Sequence, residues 1–250
     1  MKKLVLLSTV VVILAACSPV YYAPSTQHVP LLTEEEEFTV AGGYSGSSSA
    51  DGATINSAYA FDSNWALMAN GSIFLAGDSK DNSSTGSGGH LEAGAGYFTE
   101  VSDKLVFETY GLIGFGGMSN RFPLTVQDYP ETTGEIKANV LSLALQPSFG
   151  FKSKYFEAAI SFRTGMVNYS NIRGSLMMQN EDQDAVGSQQ EYLEDNKSNF
   201  LFEPALTIRG GLEFLKLEAQ TGGSLNLTNQ EFPQDPSWIT IGLIYRLQDD

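Results

Sequence analysis

The side chain with the most sharply defined chemistry is the only cysteine, Cys17. Lys2 and Lys3 give a positive start, Leu4 to Leu14 an apolar stretch, and Leu14-Ala15-Ala16 a small-residue cleavage site directly before it. This is the pattern of a bacterial lipoprotein leader, cut before a cysteine whose thiol is then alkylated by a lipid carrying palmitate-type acyl chains. Residues 1–16 are therefore expected to be removed, leaving Cys17 as a lipidated N-terminus. The apolar stretch is too short to span a bilayer. With its sole thiol held in a thioether the chain forms no disulfide, although the compartment would permit one.

A second group is ionisable. Glu92, Glu108, Glu157, Glu203 and Glu218 fall on the same strand faces as Arg163, Arg209, Lys216 and Arg246. Glu157 and Arg163 are six residues apart, as are Glu203 and Arg209, so one antiparallel register brings Glu157 to Arg209 and Arg163 to Glu203 together. Such a charge ladder neutralises groups that would be costly to bury singly, and it could equally line a polar pathway for ions or small solutes.

Catalytic chemistry is thinly supplied. His28 lies near the N-terminus, and His90 opens a strand beside a loop containing Asp78, Asp81 and Ser87. A rim hydrolase would need His90 against one of these; no catalytic residue, cofactor or dedicated metal site is expected. The loop 170–197 gathers Glu181, Asp182, Asp184, Glu191, Glu194 and Asp195, which suits weak divalent cation binding but matches no defined calcium loop. Met177 and Met178 in the same loop could meet a partner. The glycines Gly94, Gly96, Gly111, Gly114, Gly116 and Gly117 are followed by no helix, so they read as curvature or room for inward side chains rather than a phosphate cradle.

The elements that must position these groups are strands. The chain has 250 residues, room for one sizeable all-β domain after the leader. Its formal charge of −15 becomes about −17 once Lys2 and Lys3 depart, which argues against nucleic acid as a partner. Residues 17–37 hold Pro19, Pro24, Pro30 and the acidic run Glu34 to Glu37, and are expected to form an extended periplasmic tether. From Phe38 to the end a two-residue period predicts ten strands, at 38–45, 53–62, 65–76, 90–100, 105–117, 138–151, 155–169, 198–209, 213–222 and 238–247. Connectors alternate between tight ones (Ser63-Asn64, 101–104, 152–154, 210–212) and longer polar ones (46–52, 77–89, 118–137, 170–197, 223–237). That alternation predicts an antiparallel up-and-down transmembrane β-barrel over 38–250, with short periplasmic turns and long external loops.

Aromatics at strand ends predict two girdles. Phe38, Trp65, Tyr97, Phe151, Tyr155 and Tyr245 form the lower, and Tyr44, Phe74, Phe115, Tyr169, Phe200 and Trp238 the upper. Pro147 and Pro204 fall inside strands and each is expected to mark a bulge.

The segment Cys17-Ser18-Pro19-Val20-Tyr21-Tyr22-Ala23-Pro24, followed by Val29-Pro30-Leu31-Leu32 and the acidic run before Phe38, resembles the start of outer-membrane β-barrel lipoproteins of the Bacteroidota. The resemblance implies an outer-membrane location, with membrane lipid and other outer-membrane proteins as partners, and brings no catalytic residues. Acidic residues directly after the cysteine would signal surface export in that group. Here they begin only at Glu34, which points to a lipid on the periplasmic side. Three functions stay open: binding or a structural accessory role through the long loops, a narrow channel, and a rim hydrolase.

Overall fold

The computed structural model describes residues 19–76, 85–122, 131–179 and 186–247. Residues 1–18, with Cys17 and the expected leader, lie outside them, as do Asp78, Asp81, Glu181, Asp182 and Asp184. Ten long strands form the wall: β1 (Phe38–Ser47), β2 (Ala50–Asp62), β3 (Trp65–Ala76), β4 (Thr85–Ser102), β5 (Leu105–Phe122), β6 (Gly134–Lys152), β7 (Phe156–Gly174), β10 (Ser198–Gly211), β11 (Leu215–Gly223) and β13 (Ser237–Leu247). Each pairs antiparallel with its sequence neighbours, and β1 pairs with β13, so the sheet closes into a barrel with no free edge.

Alternation along the strands sets the two faces. On β6 the outward Leu141, Leu143, Leu145 and Phe149 are exposed, while Ser142, Gln146 and Ser148 are buried. On β13 Ile239, Ile241, Leu243 and Leu247 point out, opposite buried Thr240 and Arg246. Ile55, Leu67, Ile73, Leu91, Ile113, Ile160, Leu206, Ile208 and Leu217 continue the exposed apolar belt around the other strands. A soluble monomer does not carry an apolar surface of this extent, whereas the wall of a transmembrane barrel does. β4 to β7 run 18 or 19 residues, well beyond the roughly 9–11 that cross a bilayer, so their far ends rise above the belt. There the outward residues turn polar: above Phe115 and Leu141 come Ser119, Arg121, Lys137 and Glu135.

Connections at one end are tight: Ser63-Asn64, Asp103-Lys104, 153–155 and 212–214. At the other end 77–84, 123–133, 175–197 and 224–236 are longer, but the link between β1 and β2 is only Ser48-Ser49. The expected loop at 46–52 is thus a hairpin, because Ser47 Oγ both donates to Ala50 O (2.8 Å) and accepts from Ala50 N (3.1 Å), closing the turn. The long loops carry small elements of their own: β8 (Met177–Gln179), β9 (Val186–Ser188), helix α1 (Gln189–Asp195) capped by Ser188, and β12 (Leu225–Asn226).

Neither strand proline makes a bulge. Pairing of β6 with β7 lapses at Gln146 and Pro147 and resumes in the same register, with Leu145 opposite Thr164 and Ser148 opposite Ser161. Pro204 keeps its place opposite Phe162 and lies where the β10–β11 ladder gives way to β10–β12. In an antiparallel sheet each N–H serves one neighbour only, so each proline costs one ladder bond and leaves the count unchanged.

Three of the expected girdle aromatics are not on the lipid face. Tyr169 and Trp238 are buried, at 1% and 2% exposure, and Phe74 packs partly buried against the inner core. Tyr169 shares its parity with Arg163 and Trp238 with Thr240, and both of those point inward. Trp65, Tyr97, Tyr155 and Tyr245 at the short-turn end, and Tyr44, Phe115 and Phe200 at the other, are exposed outward.

Candidate functional site

The largest departure from the sequence reading is the position of residues 19–37. They run through the lumen from the long-loop mouth to the short-turn end and only then turn into β1. At the mouth Tyr21 N donates to Pro233 O (2.9 Å), and Tyr21 packs with Tyr169, Phe232, Leu176, Leu193 and Leu201 in an apolar cap built from the loops. Halfway down, Thr26 Oγ1 meets Thr240 Oγ1 at 2.8 Å. The backbone of Gln27 is clasped by the side chain of Gln220, through Gln27 N to Oε1 and Nε2 to Gln27 O, each 2.8 Å. Further down Gln146 Nε2 donates to His28 O (2.7 Å), and Leu32 N to Glu108 Oε1 (2.8 Å). The segment is extended, as its prolines require, but it is a plug rather than a tether below the barrel.

The wall is shaped for it. Val29, Leu31 and Leu32 are fully buried against Ala58, Ala60, Ala66, Met68, Phe98, Leu112, Val106 and Ala159. Full burial is worth roughly 1.5–3 kcal/mol for each such side chain. A Cβ on Gly150 would stand 2.5 Å from Leu31 Cδ2, so only glycine leaves that space. Leu31 itself has φ of 52°, a left-handed conformation costing about 1–2 kcal/mol for a residue with a Cβ. Turned this way, its carbonyl accepts from Arg246 Nη1 (3.2 Å).

The predicted ladder residues all face this lumen and all are buried. The register sets Arg209 opposite Glu157 and Arg163 opposite Glu203. Arg209 Nη1 lies 3.1 Å from Glu157 Oε2, and its Nη2 2.6 Å from Glu218 Oε2. Glu157 is a hub, also receiving Lys216 Nζ and Arg246 Nη2 at 3.1 Å each. The other rung is split: Arg163 pairs with Glu92 (3.3 Å) and Gln146, while Glu203 accepts from Tyr22 Oη (2.9 Å) and Ser224 Oγ (3.0 Å).

Two residues outside the sequence-derived set complete the network. Glu37 is fully buried, contacts Arg246 and pairs with Lys152 at 2.9 Å. Its inward position follows from β1, where Thr39 and Ala41 share its parity and are buried.

Between the plug and the wall near the mouth, a cleft enclosing about 660 Å³ including its open side is lined by Tyr22, Ser25, Phe74, His90, Arg163 and Glu203, among others. His90 Nε2 lies 3.1 Å from Ser142 Oγ, and its Nδ1 3.9 Å from Glu92 Oε1. Ser87 points to the opposite face of β4 from His90 and is not brought to it. Gly114 makes the contact possible, since a Cβ there would stand 2.4 Å from His90 Cε1 and 2.5 Å from Ser142 Oγ. A serine–histidine pair needs a hydrogen-bonded orienting acid to act as nucleophile and base. Glu92 Oε1 sits beyond that distance and Glu92 Oε2 is engaged by Arg163 at 3.3 Å, so His90 holds Ser142 with no acid hydrogen-bonded behind it in this arrangement. Among the described residues no three His, Cys, Asp or Glu side chains converge on a metal position.

No protein-family model and no curated protein matches the sequence. Solved structures do overlap it loosely. The translocator domain of the autotransporter NalP from Neisseria meningitidis does so at a TM-score of 0.47 and 11% identity, over 84% of this chain and 88% of its own. The outer membrane protease OmpT from Escherichia coli gives 0.46 and 8%, over 84% and 93%. The attachment invasion locus protein Ail of Yersinia pestis gives 0.36 and 12%, over 85% and 99%. Overlaps this loose carry nothing about function.

Proposed function

We propose that this chain is an outer-membrane β-barrel lipoprotein, closed by its own N-terminal segment, that works by binding at its long-loop mouth as a structural or accessory component. The occupied lumen carries this reading. A conducting barrel needs a continuous polar path, whereas residues 19–37 fill this one and its wall charges are matched to one another or to the plug. Among the described residues of the mouth, α1, the paired strands β8 and β9 and the loop 224–236 are tied together over the cap, with the cleft opening beside them. Such loops on a rigid scaffold are where recognition resides in barrels.

The experiment is planar-bilayer recording together with crosslinking. The whole protein is expected to give a silent bilayer, and a variant lacking residues 19–33 discrete conductance. Steady conductance from the whole protein, altered by Arg163→Ala, would restore the channel reading. Photo-crosslinkers at Gly187 and Glu231, both exposed in the mouth loops, are expected to capture a discrete partner under native expression. Recovery of the uncrosslinked chain alone from both sites would remove the accessory role.

A further inference from the structure

We infer that the lipid carried by Cys17 belongs to the outer leaflet of the outer membrane, because the mature N-terminus leaves through the barrel's own lumen at the long-loop mouth. The inference rests on the outer-membrane reading above, with long loops outside, and on the lipid-attachment pattern around Cys17.

The direction of the segment is set by its contacts. Leu32 and Glu37 are held at the short-turn end, by Glu108 on β5 and by Arg246 on β13. Gln27 lies midway against Gln220, and Tyr21 reaches the loop 224–236. Val20 is the last residue upstream with a described polar contact. The side chain of Asn120 grips its peptide on both sides, Val20 N to Oδ1 at 3.0 Å and Nδ2 to Val20 O at 2.9 Å.

Asn120 lies five residues beyond Phe115, the last exposed aromatic on β5, hence about 16 Å further along the strand at about 3.3 Å per residue. Val20 therefore stands above the apolar belt, beside the wall rather than on the barrel axis. Cys17 is two residues upstream of Pro19, a reach of at most about 7 Å. The leaflet at the short-turn end is a full barrel height away, and the lumen that would lead back to it is already filled by residues 19–37. Acyl chains on Cys17 thus meet the leaflet at the mouth.

This reverses the side expected from the missing acidic residues after the cysteine. It also makes the barrel the route by which its own anchor reaches the surface. The acyl chains, loops and cleft then share one face of the membrane, and the plug is pinned at both ends: by β1 below and by lipid above.

The test is epitope accessibility on intact cells, with one short epitope inserted between Ser18 and Pro19, after Ser153 in the β6–β7 turn, or after Glu231 in the mouth. The expected result is antibody binding on intact cells for the N-terminal and Glu231 insertions, and for the Ser153 insertion only after permeabilisation. An N-terminal epitope reached only after permeabilisation, with the Glu231 epitope reached on intact cells, overturns the threaded exit and leaves the barrel's orientation standing. The reverse pattern for the Ser153 and Glu231 epitopes overturns the orientation, and the inference with it. If the N-terminal insertion blocks assembly, Ser18→Cys probed with a membrane-impermeant maleimide replaces it, with labelling on intact cells expected and labelling only after lysis contradicting the inference.

Discussion

Replacing Glu157 by glutamine removes the one carboxylate that three buried cations share. The cost follows from what each cation keeps. Arg209 retains Glu218 at 2.6 Å, and Arg246 retains Glu37. Lys216 is 4% exposed, and among the described residues its only carboxylate is Glu157; the carbonyl of Glu213 at 3.1 Å is all that remains. The variant therefore strands one buried charge rather than three, and removing one partner of a buried pair costs about 3–5 kcal/mol. With a urea slope of about 3 kcal/mol per molar, the upper end for small proteins, the midpoint should fall by between about 1 and 2 M. The assay is urea unfolding of the barrel reconstituted in lipid, followed by tryptophan emission and by the gel shift on heating. Glu157→Gln with Lys216→Met should recover at least half of the loss, because the stranded charge is gone. A midpoint unchanged in the single variant, or a double variant no better than the single, would refute the hub and the claim that it neutralises the lower lumen.

Other outcomes follow from the same geometry. Gly114→Ala pushes a methyl into His90 and Ser142, and should destabilise the barrel by about 1–3 kcal/mol while broadening or shifting the His90 ring resonances; an unperturbed ring would contradict the packing. Pro147→Ala restores an N–H where the β6–β7 ladder lapses in an unshifted register, and should stabilise by about 1 kcal/mol in the same urea assay. Of the two tryptophans, Trp65 faces lipid and Trp238 is buried inside. Brominated lipids should accordingly quench the Trp238→Phe protein strongly and the Trp65→Phe protein weakly.

Much of this architecture was legible from residues alone, and the physical reason is the two-residue period. All ten wall strands were placed by outward apolar residues such as Leu141, Leu143 and Leu145, alternating with Ser142, Gln146 and Ser148. The equal spacing of Glu157 and Arg163 against Glu203 and Arg209 lets one register satisfy both pairs, and the β7–β10 pair has that register, although Arg163 forms its ion pair with Glu92. The same period also decides the exceptions: Tyr169 and Trp238 stand at girdle height along their strands, but their parity with Arg163 and Thr240 sends them inward, and the inward parity of Thr39 extends to Glu37.

The plug was harder to see. Residues 19–33 have no periodicity, and their prolines and polar residues suit an exposed linker equally well. Two signals pointed to it. Val29-Pro30-Leu31-Leu32 is too apolar for a solvated tether, and the inward positions Ala58, Ala60, Ala66, Gly96, Gly150 and Ala159 are too small to fill a ten-stranded lumen by themselves. The pairing of His90 with Ser142 could not be read in advance, because they lie on strands that do not adjoin and meet only across Gly114 of β5.

Occupancy of the lumen by residues 19–37 is tested most directly by a disulfide between plug and wall. Thr26 and Thr240 place their hydroxyl oxygens 2.8 Å apart, and the only native cysteine lies outside the pair at position 17. In Thr26→Cys/Thr240→Cys, oxidised after assembly into membranes, peptide mass analysis should recover the two cysteines joined in most molecules. Two free thiols in a folded, heat-shifting Thr26→Cys/Thr240→Cys barrel would show that the segment does not run through the lumen.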